Sequence, residues 1–381
     1  MGCGRTHTSI VKILVISVAG IGDTLLATPL LRALREQFPA ALIDVLAMWP
    51  GSRDILEGTP CVNTIHQQNF FTEKALMNLK FLWRLRKARY DVTINTYPQS
   101  KTVYRVIARL INAPRRLSHR YENYSRLDDW LTNLTIEEDY TLHCIENNLN
   151  LLKLLGSPLG SKSHEPELFF STAEIKWAEE FACKNQLRER TVLGIHAGSG
   201  KTKNLILKRW PVDYYIQLVQ KLLAGYPALT VLLFGGPEEK EDNEKILQSI
   251  QSPRLLAVPS RTMKEAAALL QRCDVFLSVD NAFMHLAAAV GVPQQIVIES
   301  PTFNKTIEPY HRPFRLVKNP LVAGRNLDYY RYDGRDIQGT TEHLLACMRS
   351  IAPEAVFHAV QSALAERQST MREAGNARQP G

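Results

Sequence analysis

Residues 11–18 (VKILVISV) form a short, almost continuous apolar run, and a glycine turn, Gly20-Ile-Gly22-Asp23, follows at once. Such a run fits a strand buried on both faces of a parallel sheet. Behind the turn, Thr24–Phe38 carries apolar residues at helical spacing until Pro39 stops it, and Leu42–Ala47 reads as a second strand. Strand, turn, helix and strand make the unit of a doubly wound α/β sheet. The pattern continues through a basic helix at Glu73–Arg89, a strand at Asp91–Thr96 and a second basic helix near Lys101–Ile111. Around Gly156–Glu167 the chain becomes rich in Gly, Ser, Pro and Lys, as a linker would. The rhythm then restarts with strands at Thr191–His196, Leu229–Phe234, Val275–Val279 and Gln295–Ile298. At about 100–200 residues per domain, 381 residues hold two such domains. The expected division is 1–170 and 171–340, then closing helices over 341–364 and a disordered tail over 365–381.

Charge matters here by its location. Between Phe71 and Arg126 stand thirteen Lys or Arg against three acids, a net +10, so this stretch alone exceeds the +8 of the whole chain. A surface of that kind suits an anionic membrane or glycolipid; a solvated helix face is the plainer reading. No RNA- or DNA-binding motif accompanies it, so nucleic acid is not an expected partner. Six scattered cysteines without metal-like spacing read as reduced thiols of a cytoplasmic protein. No apolar run approaches a membrane span. Met1-Gly2-Cys3-Gly4-Arg5-Thr6 matches the loose N-myristoylation pattern, against the alternative of a frayed leader.

Two turns imitate nucleotide motifs and fail on spacing. Leu25 stands where the third glycine of a dinucleotide fingerprint belongs, and Ile195 where the first glycine of a P-loop ending in Gly200-Lys201-Thr202 belongs. Other features are more specific. Asp23 sits where a parallel strand ends and a helix begins, where the helix dipole favours an ionised carboxylate; it could be a base or simply a helix cap. His196–Gly200 is a small-residue turn, and Lys208-Arg209-Trp210-Pro211 precedes a helix. Together they could hold phosphate, or be a solvated basic loop. Asp280 ends another strand with His285 five residues on; a cap and a packed histidine are the plain alternatives.

Taken together, Ile13–Pro39, Gly194–Pro211, Leu270–Pro293 and the Pro301-Thr302 turn resemble glycosyltransferase family 9, the lipopolysaccharide heptosyltransferase family. The resemblance implies a GT-B architecture of two Rossmann-like domains facing each other across a cleft, acceptor on the first and nucleotide sugar on the second. It implies inverting, metal-independent transfer from ADP-L-glycero-D-manno-heptose to the inner core of lipopolysaccharide, with no cofactor; absence of an Asp-x-Asp motif agrees. It makes Asp23 the catalytic base. Ser199, in the turn with Gly198, and Lys208 would contact the donor phosphates. Asp280 would hold sugar hydroxyls, Asn281, Ala282 and His285 would meet the diphosphate, and Glu239 is a candidate for the ribose. On the acceptor side stand Gly22 and, from the basic stretch, Arg84, Arg116 and Arg120, with the enzyme working at the inner face of the inner membrane on a lipid-linked glycan.

Three positions depart from the family pattern: Ser17 where Arg or Lys is usual, Asn281-Ala282 for Thr-Gly or Ser-Gly, and Ser300 for the glycine before Pro-Thr. A nucleotide-sugar hydrolase or epimerase on the same fold, and a non-catalytic binder of an anionic glycan or nucleic acid, are the alternatives. No obligatory protein partner is evident in the sequence.

Overall fold

The computed structural model describes residues 12–156, 164–200 and 202–376. The N-terminal myristoylation pattern, most of the expected linker, Lys201 and the last five residues lie outside these. The described chain divides into two units, Met1–Pro166 with Tyr332–Gly334, and Glu167–Arg331 with Arg335–Gly381.

The first unit runs β1 (Lys12–Ser17), α1 (Ile21–Leu26), α2 (Thr28–Gln37), β2 (Leu42–Ala47), α3 (Pro50–Leu56) and β3 (Thr64–Gln67). Its second half is α4 (Ala75–Lys87), β4 (Val92–Asn95), α5 (Thr102–Ile111), β5 (Arg115–Arg120), α6 (Arg126–Leu131), β6 (Leu134–Glu137) and α7 (Cys144–Asn150). The six strands are parallel in the order β3-β2-β1-β4-β5-β6. This is the doubly wound order, whose direction reverses between β1 and β4. Leu14, Ile16 and Leu46 of the sheet pack with Phe81, Leu82 and Leu85 of α4 and with Tyr104, Ile107 and Ile111 of α5.

One helix was expected over Thr24–Phe38; two are found, broken at Ala27. Pro29 has no N–H to give the Leu25 carbonyl four residues back, and the Thr28 hydroxyl takes that carbonyl instead, at 2.8 Å. The first helix also begins before Asp23, at Ile21, with Gly20 as its cap.

Strand β5 shows how buried polarity is handled. Its middle residues Leu117, Ser118 and His119 are fully buried. Burial drives the His119 pKa from 6.5 down to about 4, against the opposing hydrogen bond between Nε2 and the Asn147 carbonyl. The folded protein therefore keeps this imidazole neutral, while the unfolded chain protonates it below pH 6.5. Its contribution is fully present above that pH and is lost as pH falls toward 4, about 3 kcal/mol in all. Unfolding measured across that window should show the loss, and His119→Phe should flatten the slope; an unchanged slope would contradict the assignment.

The second unit opens with α8 (Thr172–Lys184) and continues β7 (Thr191–His196), α9 (Val212–Gly225), β8 (Leu229–Phe234), α10 (Lys240–Ser249) and β9 (Leu255–Ala257). Then come α11 (Met263–Leu270), β10 (Val275–Ser278), α12 (Ala282–Ala289), β11 (Gln294–Ile298) and β12 (Phe314–Val317). Its sheet, β12-β11-β10-β7-β8-β9, is again parallel and reverses between β7 and β10. After α13 (Asn326–Tyr329), residues Tyr332–Gly334 return to the first unit, where the Tyr332 ring stacks on Tyr140 at 5.8 Å. The chain closes with α14 (Thr341–Arg349) and α15 (Pro353–Asn376). The expected tail from residue 365 is thus a correction, because α15 continues through it to Asn376. Ion pairs from Glu366 to Arg315 and from Arg367 to Asp274 fasten that extension to the unit.

Candidate active site

In the first unit Asp23 is the third residue of α1, just beyond the carboxyl end of β1. Its Oδ2 accepts the Gly20 N–H at 2.7 Å, so the carboxylate folds back over the turn that presents it. Gly20 suits this: a Cβ there would lie 2.9 Å from Asp23 Oδ2. Gly22 is buried in the same turn. Ser17 ends β1 as a buried hydroxyl 3.0 Å from the Thr24 hydroxyl, which donates to Ser52 Oγ. A serine here closes an internal hydroxyl chain.

The three arginines are not brought together. Arg84 is exposed on α4, its guanidinium over the Phe81 ring. Arg116 lies near the amino end of β5, level with Thr93 of β4 and away from the sheet edge that carries Asp23. It gives its Nε and Nη1 protons to the carbonyls of Leu131 and Ala113. Arg120 does reach the carboxyl end of β5, where it lies over Tyr124 and pairs with Glu137.

In the second unit the expected donor residues do converge, at the carboxyl edge where the strand order reverses. This is where open α/β sheets bind ligands. Lys208 is buried, and its ammonium makes three contacts: the Asp280 carbonyl at 2.6 Å, Asp280 Oδ2 at 2.7 Å and Thr302 Oγ1 at 3.2 Å. The Asp280 carboxylate also accepts the Thr302 hydroxyl, at 2.6 Å, and the Ser300 hydroxyl. Lysine and aspartate, expected in separate roles, therefore form one buried ion pair lined by hydroxyls.

Asn281 caps α12: its Oδ1 accepts the N–H groups of Phe283 and Met284 at 2.9 and 3.2 Å. Ala282 begins that helix and His285 is buried one turn in. Asn281 Nδ2 lies 3.0 Å from the Gly198 carbonyl and 3.1 Å from His196 Nδ1. An amide N–H donated to Nδ1 places a ring proton on Nε2, which faces Glu239 Oε2 at 3.7 Å. The His196 ring stacks on Phe283 at 4.2 Å.

Glu239 is buried, which alone would raise its pKa. The His196 hydrogen bond and charge, the Gly236 N–H and Arg209 together hold the carboxyl below the ordinary glutamate value. Gly198 must be glycine for this packing, because a Cβ would fall 2.2 Å from Glu239 Oε1. The Ser199 hydroxyl donates to the Leu205 carbonyl at 2.8 Å, and the Ser199 carbonyl accepts from Arg209.

Four contributors had no individual role assigned from the sequence, although His196, Arg209 and Thr302 fall inside motifs noted there: Ser300, Thr302, His196 and Arg209. Ser300 registered only as a departure. The available signal was a pair of hydroxyls flanking a proline just after a buried strand.

Two parallel sheets of Rossmann order, the second with a buried lysine, hydroxyls and a capped helix N-terminus at its switch point, make the kind of edge where α/β proteins hold an anionic ligand. The family model for glycosyltransferase family 9 (heptosyltransferase) matches residues 78–329. The chain belongs to that family. Lipopolysaccharide heptosyltransferase 3 of Escherichia coli is 29% identical, over 85% of this chain and 92% of its own length. A family 9 glycosyl transferase structure from Veillonella parvula superposes with a TM-score of 0.72 at 18% identity, covering 95% of this chain and 99% of that one. The Escherichia coli heptosyltransferase WaaC with ADP-2-deoxy-2-fluoro heptose gives 0.65 at 16%, covering 92% and 99%. These likenesses establish the GT-B fold.

Proposed function

We propose that this protein transfers heptose from ADP-L-glycero-D-manno-heptose to a lipopolysaccharide core acceptor, with inversion at the anomeric carbon and without a divalent cation. In this reading the acceptor hydroxyl oxygen attacks the anomeric carbon, the bond to the ADP oxygen breaks, and the hydroxyl proton passes to Asp23. The observation that carries it is the buried cluster of Lys208, Asp280 and Thr302, with Asn281 capping α12 beside it, at the switch point of the second sheet. A relative named for lipopolysaccharide heptosyl transfer and a neighbour holding an ADP-heptose analogue supply the donor class.

A lysine ammonium has three protons. Here all three face protein oxygens, so a diphosphate must replace one of them. The Thr302 contact, longest at 3.2 Å, is the weakest to exchange. Lys208 and the N-terminal end of α12 then meet the charge that grows on the departing ADP. Glu239, its carboxylate fixed by His196 and Arg209, is placed in this reading as the partner of the ribose hydroxyls, with Ser199, Gly198 and His285 shaping the pocket beside it. Gly22 supports the base, and Arg84, Arg116 and Arg120 belong to a positive first unit facing an anionic, lipid-linked acceptor; the basic stretch supports that part of the reading. The test is the anomeric configuration of the product and its yield with a chelator present. Inversion and unchanged yield are expected; retention, or loss of turnover on chelation, would contradict the mechanism.

A further inference from the structure

Among the described residues of the first unit, three successive helices each turn a line of apolar side chains outward. On α4 it is Leu76, Leu79 and Trp83, spaced i, i+3, i+7 and exposed to 63, 55 and 56%. That spacing lies along one side of a helix, opposite the buried Phe81, Leu82 and Leu85. On α5 Val103 and Leu110 are exposed an i, i+7 step apart, and on α6 Leu127 and Trp130 an i, i+3 step apart.

The three helices are joined. α4 and α5 share the core beneath them, and Arg86 of α4 donates to the Leu110 carbonyl at the end of α5. α5 and α6 are tied by the buried Arg105–Asp128 ion pair and by Arg109 lying 4.3 Å from the Trp130 ring.

Single exposed leucines need no explanation, but aligned rows on neighbouring helices do. Cations flank them. Lys80, Arg86 and Lys87 border the α4 row, and the last two lie over the Trp83 indole, each at 5.9 Å. An apolar row with tryptophan and a Lys/Arg border is the pattern of a surface that seats in the headgroup region of a bilayer. The three helices together carry seven Lys or Arg against two acids, a net +5 that selects an anionic bilayer and opposes a second copy of the same positive face.

We propose that the outer faces of α4, α5 and α6 dock this protein on an anionic phospholipid surface, with Leu76, Leu79 and Trp83 entering the headgroup boundary. This deepens the reading of a lipid-linked acceptor given above, yet its test needs no glycolipid.

The full chain is sedimented with vesicles of phosphatidylcholine alone or mixed with phosphatidylglycerol. Wild type should bind the mixed vesicles. Leu79→Ser/Trp83→Ser should weaken partitioning by about tenfold or more. Lys80→Gln/Lys87→Gln should weaken it as well, by about thirtyfold for two cations near the surface. Transfer to a soluble core oligosaccharide by Leu79→Ser/Trp83→Ser should match wild type. The proposal is overturned if wild type stays in solution with both vesicles, if either double variant binds as tightly as wild type, or if transfer to the soluble acceptor falls with vesicle binding. It is equally overturned if ultracentrifugation shows a dimer that Leu79→Ser/Trp83→Ser dissociates, which would assign the face to a second copy. A wild type that binds vesicles but transfers no heptose would sink the proposed function and leave the docking surface intact.

Discussion

Asp23→Asn should lower heptosyl transfer by about 10²–10⁴-fold, the usual contribution of a positioned general base, while leaving donor affinity unchanged. The asparagine side chain keeps an oxygen for the Gly20 N–H that Asp23 now accepts at 2.7 Å. The turn therefore survives, and what is removed is the capacity to take a proton. Donor affinity should not move, because the residues assigned to the donor all lie in the other unit. Titration with ADP and rate measurements on one preparation separate the two quantities. Turnover within a few-fold of wild type would remove Asp23 from the chemistry and return it to the role of a helix-turn residue.

The second large effect concerns Lys208. Lys208→Ala takes away the ammonium that pairs with Asp280 at 2.7 Å and leaves a buried carboxylate facing only the Ser300 and Thr302 hydroxyls. Breaking a buried pair on one side costs about 3–5 kcal/mol of stability. Adding Asp280→Asn should recover most of that loss, since the uncompensated charge is then gone. Turnover should behave differently. It should fall by about 10²–10³-fold in the single variant and stay low in the double, because stabilisation of the leaving diphosphate is missing from both. If the double variant regained transfer together with stability, the pair would be structural and the diphosphate charge would be met elsewhere.

Much of this architecture was legible in the sequence because strands such as β1, β7 and β10 are buried on both faces and read as apolar runs. Strand β5 was not. It reads Arg-Arg-Leu-Ser-His-Arg, and only its neighbours' packing and a neutral, fully buried His119 make it a strand. The four-residue strands β3 and β6 at the two sheet edges, half-buried and partly polar, gave no periodicity to detect. Helix α15 was underestimated for a related reason. Its extension is polar, and what favours it is the placement of Asp274 and Arg315 far away in sequence.

The site was legible in kind and less so in detail. Asp23, Asp280 and Asn281 stand just past strand ends, and Lys208 just before a helix, that the β-turn-α rhythm already located. That Lys208 and Asp280 are one pair, and that Ser300 and Thr302 complete it, depends on bringing the ends of β10 and β11 side by side. No spacing within a single stretch could report that. The acceptor-side arginines were less legible for the opposite reason: charge density marks a basic stretch of sequence and not a place in the fold, and Arg116 turns to backbone carbonyls near the amino end of β5.

The most direct test is an incubation of the full chain with ADP-L-glycero-D-manno-heptose, with and without a lipopolysaccharide acceptor truncated in its inner core, following free ADP and the mass of the acceptor. ADP release that requires the acceptor, matched mole for mole by a gain of one heptose, is the predicted result. ADP release at the same rate without acceptor would make the protein a nucleotide-sugar hydrolase, and no release with any core acceptor would contradict the account as a whole.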